Sequence, residues 1–155
     1  MSVTQPYVFV SKADIDAALA SPPTLGKRLL EPLKSLAAAS GLPMNVLEDS
    51  AVENEPEVHR HEGDLWHCLQ GEVAFVCGGR LAKPQMRSRP DGSPNDLEIW
   101  GTSIAGGTEV TLTPGDWLWI PAGQPHLHRT AGTARLVIIK IPANASAVVP
   151  LEAVL

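Results

Sequence analysis

Cysteine, aromatic residues and long apolar runs are all scarce in this sequence. Its two cysteines, Cys68 and Cys77, fit neither a zinc-knuckle spacing nor a C-x-x-C redox pair, so we expect two reduced, buried thiols. The longest apolar runs have the length of a strand, whereas about 20 apolar residues are needed to cross a bilayer. The apolar patch Tyr7–Val10 lacks the basic leader and the cleavage site of a signal peptide. We therefore expect a cytoplasmic protein that does not span a membrane.

Positive charge is also in short supply. The chain has 12 Lys and Arg residues against 17 Asp and Glu residues, which gives a formal net charge of −5. The basic residues are scattered and do not form a stripe that could neutralise phosphates. We therefore expect neither nucleic acid nor an anionic membrane as a partner. Hydrophobic residues make up 44% of the 155 residues, which is enough for one folded domain.

The N-terminal part of the chain is predicted to contain one strand and two short helices. The apolar patch Tyr7–Val10 predicts the strand. Ser11 followed by Asp14 resembles a capping box, and the apolar spacing after it predicts a helix over about residues 12–20. A second helical periodicity is carried by Leu29, Leu33, Leu36 and Ala37. Pro32 lies inside this second pattern and is expected to split or delay the helix.

From residue 44 onward, short apolar runs alternate with glycine and proline. These runs are Met44–Leu47, Leu65–Leu69, Val73–Cys77, Ile99–Ile104, Glu109–Leu112, Trp117–Ile120 and Leu136–Ile141. This pattern is typical of an antiparallel sandwich or barrel. The stretch Arg80–Asn95 is rich in turn residues and is predicted to be a long surface loop. We divide the chain into an N-terminal extension (1–43), a β-barrel (44–145) and a C-terminal tail (146–155), all within one compact domain.

The histidines are clustered. Of the five in the sequence, four form two pairs, which are His59 with His61 and His126 with His128. On a strand, residues i and i+2 share a face, so each pair can point one way. Imidazole nitrogen is a good ligand for Fe, Mn, Ni and Zn. The sequence therefore predicts one divalent transition metal inside the barrel, whereas the isolated His67 is expected not to bind it.

Two motifs around these histidines resemble those of the cupin superfamily. The first motif is carried by His59, Arg60, His61, Glu62, Gly63 and Asp64, followed by Gly71. The second motif is carried by Gly115, Pro121, Gly123 and His126, with Thr130 where the family usually has Asn. The resemblance covers close to half of the chain and implies an all-β jelly-roll barrel with short N-terminal helices. The turn at Pro121–Gly123 is expected to aim His126 into the barrel.

The resemblance also implies a ligand set. His59, His61 and His126 would supply three ligands, and a carboxylate would supply the fourth. The gap between His61 and Asp64 is shorter than in the family pattern, so Glu62 stays open as the alternative to Asp64.

Other side chains near the motifs are candidates for catalysis and substrate binding. His128 shares a strand face with His126 and can be a hydrogen-bond donor to the site, an acid or base, or a plain barrel residue. Asp64 and Glu62 are the other candidates for proton transfer. Trp66, Phe75 and Leu118 are expected either to line a substrate pocket or to pack in the core.

The resemblance narrows the function but leaves the reaction open. We favour a small-molecule metalloenzyme of dioxygenase type, acting on an aromatic or carboxylate substrate. The alternatives are a metal-dependent lyase, decarboxylase or isomerase, and a non-catalytic small-molecule binder. A metal-free epimerase is disfavoured, because the only tyrosine, Tyr7, is far from both motifs. The apolar segments Tyr7–Val10 and Ala147–Leu155 favour a homodimer.

Overall fold

The computed structural model describes residues 7–155, in which an antiparallel barrel follows two short helices and a strand. The helices are α1 (Lys12–Leu19) and α2 (Leu33–Ser40). The strands are β1 (Gly26–Leu29), β2 (Met44–Glu53), β3 (Glu57–His59), β4 (Glu62–Gln70), β5 (Val73–Cys77), β6 (Arg80–Ala82), β7 (Gln85–Ser88), β8 (Pro94–Trp100), β9 (Ser103–Ala105), β10 (Thr108–Leu112), β11 (Trp117–Ile120) and β12 (His126–Pro142). Single 3₁₀ turns follow at Ala145–Ala147 and Leu151–Ala153. No helix in this described range is long and apolar enough to cross a membrane.

Strand β12 organises the barrel, because it pairs with β2, β3, β4 and β5. Its first residues lie beside β5, where His128 faces Phe75, and its later residues lie beside β4, where Lys140 faces Asp64. An irregularity in its pairing with β2, between Thr130 and Thr133, separates the two parts. A bulge bends a strand, so one long strand can serve both halves of a jelly roll. The predicted all-β barrel with short N-terminal helices is confirmed.

Alternation along β2 separates the interior of the barrel from the helices. Leu47 faces the barrel core, whose other buried residues are Trp66, Cys68, Val73, Phe75, Leu112, Ile120, Ala134, Leu136 and Ile138. Val46 faces the opposite way and packs with Ala18, Leu30 and Leu33 of the N-terminal extension. Glu48 lies on this same helix-facing side and pairs with Arg28 and Arg135 at 2.8 and 2.7 Å. This buried carboxylate joins the extension to the barrel.

The N-terminal predictions were partly right. Helix α1 has the predicted capping box, because Ser11 and Asp14 exchange side-chain to backbone hydrogen bonds. The predicted strand at Tyr7–Val10 is wrong, since these residues have no regular secondary structure. Leu29 lies in β1 and not in a helix, because β1 pairs with β2. Pro32 caps α2, so it delays the helix as predicted.

The predicted surface loop at Arg80–Asn95 is wrong. It contains β6 and β7, and β7 forms a hairpin with β8. Gly92 at the hairpin tip has a φ of +84°, the left-handed conformation that an Asp-Gly turn supplies. The turn residues that indicated a loop therefore mark the tip of a hairpin. The predicted run Ile99–Ile104 is likewise divided between β8 and β9.

Candidate metal centre

Four side chains from three strands converge inside the barrel, next to the end of β3. Glu57 and His59 lie two residues apart on β3 and so share one of its faces. His126, the first residue of β12, is the direct partner of Glu57 in the sheet. Asp64 comes from β4. We call these four residues the inner cluster, and three of them are almost fully buried, with exposures of 7% for His59, 1% for Asp64 and 2% for His126.

The distances in the inner cluster match the spacing of ligands around one ion. Nε2 of His59 and Nε2 of His126 each lie 3.7 Å from Oε1 of Glu57. The same two nitrogens each lie 3.5 Å from Oδ2 of Asp64. Ligands that are about 2.1 Å from a tetrahedral ion are about 3.4 Å apart. Glu57, His59 and His126 can therefore hold a divalent ion with little movement.

Two atoms of the inner cluster are buried without a hydrogen-bond partner. They are Oδ2 of Asp64 and Nε2 of His126. A buried polar atom without a partner costs about 1 to 3 kcal/mol. An ion placed among these atoms would remove that cost, so the residues present fit the metal that the sequence predicts.

Hydrogen bonds on the far side of each imidazole fix its orientation. Nδ1 of His126 lies 3.0 Å from the carbonyl oxygen of Gln124. Because a carbonyl oxygen only accepts, Nδ1 donates, and Nε2 is left to face the cluster. Nδ1 of His59 lies 2.5 Å from Oε2 of Glu98, which orients that ring in the same way. Partners of this kind hold metal-ligating histidines in place and tune them.

In the metal-free protein the inner cluster is held together by charge. Burial alone would lower the pKa of His59, but the nearby carboxylates of Asp64 and Glu98 outweigh it and raise this pKa to about 9. The pKa of His126 is raised for the same reason, through Asp64 and Glu57. Burial would raise the pKa of Glu57, but His126 and His59 bring it down to about 2. A metal ion therefore has to displace protons from both histidines.

Lys140 also contacts the cluster. It lies opposite Asp64 on β12, and its Nζ donates to Oδ1 of Asp64 at 2.7 Å. The same Nζ is 3.4 Å from Nε2 of His59. Together with the two histidines, this ammonium group holds the pKa of Asp64 well below its usual range, although burial would raise it. Asp64 therefore stays ionised, with one oxygen on Lys140 and the other free to face an ion.

His61 lies outside the inner cluster. The prediction that His59 and His61 share a strand face is wrong, because β3 ends at His59 and the chain bends before β4 begins. Nε2 of His61 lies instead 3.7 Å from Glu62 and 3.8 Å from Glu98. Of the two predicted carboxylates, Asp64 joins the inner cluster and Glu62 lies with His61. Metal binding by any of these residues stays a prediction.

The remaining predicted site residues pack in the barrel core or against it. His128 is 1% exposed, and its Nε2 is 2.7 Å from Oδ2 of Asp49, which is fully buried. Its ring packs against Trp66 and Phe75, with ring centroids 5.3 and 5.2 Å away. Leu118 packs against the same core. The substrate-binding role of these apolar residues stays a prediction, and so does catalysis by His128, Asp64 and Glu62.

His67 and Arg60 make their contacts outside the inner cluster. His67 stacks on Trp117 with ring centroids 3.9 Å apart and is not part of the inner cluster. Arg60 does not extend into solvent. It donates to the carbonyl oxygen of Val149 at 2.7 Å and to that of Asp96 at 2.6 Å, and it is 9% exposed.

Sequence reasoning missed Glu57, Glu98 and Asp49. Glu57 could have been found, since it precedes His59 by two residues and shares a face with it if both lie on one strand. Glu98 is the sheet partner of His59, and Asp49 is brought to His128 from β2. Neither pairing has a local sequence signal, because both depend on which strands become neighbours.

No protein-family model and no curated protein matches this sequence, but solved structures do. The protein BH2720 from Bacillus halodurans matches with a TM-score of 0.50 and 16% identity, over 90% of this chain and 85% of that one. The cupin domain of Drosophila melanogaster CENP-C matches with a TM-score of 0.43 and 11% identity, over 63% of this chain and 59% of that one. A cupin-superfamily sugar phosphate isomerase from Silicibacter pomeroyi matches with a TM-score of 0.47 and 16% identity, over 76% of this chain and 60% of that one.

This chain thus spans about three fifths of the length of the last two proteins. At these identities the likeness is one of fold. The described chain is an antiparallel jelly roll organised around one long bent strand, with a histidine and carboxylate cluster inside it. The jelly-roll fold that the two sequence motifs imply is therefore present in this chain.

Proposed function

We propose that this chain is a metal-dependent enzyme of dioxygenase type that acts on a small organic molecule. The observation that carries the proposal is the convergence of Glu57, His59 and His126, whose ligand atoms lie within 4.8 Å of one another. Two histidines and one carboxylate are the ligand set of many non-haem iron oxygenases, which leave further positions on the ion open. Asp64 adds a second carboxylate that can bind directly or through water.

The bound ion would supply oxygen activation if it is iron or manganese, and polarisation of a substrate oxygen if it is zinc or nickel. The protein groups would orient the ligands and limit the access of water. Glu98 and Gln124 hold the two imidazoles in place, and burial of the histidines limits access of water. The side chain of Glu57 is 18% exposed, so substrate would approach from its side of the cluster.

A metal-dependent lyase, decarboxylase or isomerase is the second candidate. One observation favours it, because Lys140 lies 2.7 Å from Asp64 and 4.0 Å from Glu62. An ammonium group and two carboxylates beside the ion would form a route for a proton to or from substrate. A non-catalytic small-molecule binder is the third candidate.

Metal analysis of tag-free protein by plasma mass spectrometry tests the proposal. We expect close to one equivalent of a transition metal in the inner cluster, and its loss in His126→Ala and Glu57→Gln. His67→Ala is the matched control, because this histidine lies outside the cluster. Iron or manganese together with substrate-dependent oxygen uptake would support the dioxygenase. Zinc or nickel without oxygen uptake would favour the second candidate, and a metal content that is unchanged in both inner variants would overturn the metal centre.

A homodimer remains part of the proposal. Exposed apolar side chains are its support, since Tyr7 is 68% exposed, Phe9 75%, Trp117 58% and Trp119 49%. Trp117 and Trp119 share the outer face of β11, as the alternation of the strand predicts. Large apolar side chains grouped on a surface are typical of an interface.

A further inference from the structure

A second group of metal-ligating side chains lies on the outer side of His59. We call His61, Glu62 and Glu98 the outer cluster. Nε2 of His61 lies 3.7 Å from Oε2 of Glu62 and 3.8 Å from Oε1 of Glu98. Ligand atoms of His59, Glu62 and Glu98 also lie within 4.8 Å of one another. This spacing is close to that of the inner cluster, and it is again the spacing of ligands around one ion.

The bend between β3 and β4 creates this group. The bend turns His61 away from the inner cluster and places it next to Glu62, the first residue of β4. Glu98 arrives from β8, where it is the sheet partner of His59. The three side chains are 32%, 19% and 22% exposed, so an ion could reach them without opening the barrel.

Glu98 connects the two clusters. Its Oε2 accepts from Nδ1 of His59 at 2.5 Å, while its Oε1 faces His61. His59 therefore has the inner cluster at Nε2 and the outer cluster at Nδ1. The same carboxylate can orient a ligand of one ion and bind another.

The charge of the outer cluster is only partly balanced. Across residues 7–155, the groups within 4.0 Å of the Glu98 carboxylate that could balance its charge are His59 and His61. Glu62 has Lys140 at 4.0 Å, a distance at the limit of an ion pair. Two carboxylates that face one imidazole repel each other, and a divalent cation between them would relieve the repulsion.

We propose that the outer cluster is a second divalent metal site, held by His61, Glu62 and Glu98 and distinct from the inner centre. One nitrogen and two carboxylate oxygens suit zinc or manganese. Because these side chains are more exposed than those of the inner cluster, the outer site binds more weakly. The proposal does not depend on the reaction proposed above.

Calorimetric titration of chelator-treated protein with Zn²⁺ tests the second site. We expect two equivalents in the unmodified chain, the second at least about tenfold weaker. Glu62→Gln and His61→Ala each lose the weaker equivalent and keep the tighter one. His126→Ala loses the tighter equivalent and keeps the weaker one. His67→Ala, a histidine in neither cluster, keeps both.

Two results would overturn the second site. One is a single equivalent in the unmodified chain that disappears in both His61→Ala and His126→Ala, because both histidines would then serve one ion. The other is two equivalents that persist in Glu62→Gln and His61→Ala. Circular dichroism of each variant separates a lost site from a lost fold. If His126→Ala keeps the tighter equivalent while the outer variants lose theirs, the inner centre fails and the outer site stands.

Discussion

At the scale of single residues, His59 combines most of the chemistry of the site. Its two ring nitrogens face different carboxylates, with Nε2 toward Asp64 and Nδ1 toward Glu98. In the metal-free protein it carries a proton at neutral pH, because its pKa is raised to about 9. The positive charge of this proton balances part of the negative charge of the carboxylates, which an ion would otherwise balance. Protonation and metal binding at His59 therefore exclude each other.

The metal-free protein should lose stability as the pH rises through the pKa of His59. A histidine whose pKa rises from 6.5 to about 9 on folding stabilises the fold below pH 6.5, and this contribution is lost between those two values. The shift corresponds to about 3 kcal/mol for this buried ring, and the raised pKa of His126 acts in the same direction. Glu57, whose pKa is lowered, acts oppositely and loses its contribution as the pH falls from 4.5 to about 2.

Urea unfolding of chelator-treated protein at several pH values from 6 to about 9.5 measures this effect. The free energy of unfolding should fall across the range, and the fall should shrink in His59→Gln. Saturating Zn²⁺ should reduce or reverse it, because the ion replaces the proton. A flat profile in the chelator-treated protein would contradict the pairing of His59 with its carboxylates.

At the scale of elements, the bounds of individual strands were easier to predict than the strands with which they pair. Val73–Cys77 and Trp117–Ile120 were predicted with their observed bounds, because each is a short apolar run between turn residues. The bend after His59 was not predicted, since an H-x-H pattern looks the same on a straight strand and on one that ends. Leu29 was placed in a helix because its apolar spacing fits one, whereas its sheet partner on β2 decides its structure.

The turn before β12 should matter more to the site than a comparable turn elsewhere. Gly123 has a φ of +85°, and its N–H donates to the carbonyl oxygen of His59 at 2.7 Å. A Cβ at this position would lie 2.5 Å from Val149. Gly115 has a φ of +99°, but open space surrounds its Cβ position. An alanine at either position would have a strained backbone, but only an alanine at position 123 would also clash with a neighbouring side chain.

Alanine substitutions at these two glycines separate strain from crowding. We expect Gly115→Ala to cost about 1 to 2 kcal/mol of unfolding free energy, from backbone strain alone. Gly123→Ala should cost about 1 to 3 kcal/mol more, and it should weaken metal binding at the inner cluster about tenfold by displacing His59. Chemical denaturation and metal titration of both variants measure the two effects. Equal losses of stability in both would rule out the contact with Val149.

At the scale of the whole molecule, the exposed aromatic side chains lead to the prediction of a dimer. Light scattering after size exclusion should give twice the chain mass of 16.5 kDa. Trp117→Ser combined with Trp119→Ser should shift the mass toward that of one chain, because it removes two large apolar side chains from the outer face. Tyr7→Ser is the comparison for the N-terminal segment. A mass of one chain for the unmodified protein would end the dimer proposal.

The position of β12 in the chain has a consequence for synthesis on the ribosome. This strand spans residues 126–142 and joins β2, β3, β4 and β5, so the barrel cannot close until it has left the exit tunnel. Until then the earlier strands expose unpaired edges, which makes the nascent chain a substrate for chaperones. His126 also emerges with this last strand. Ion capture at the inner cluster should therefore follow the emergence of β12 from the exit tunnel.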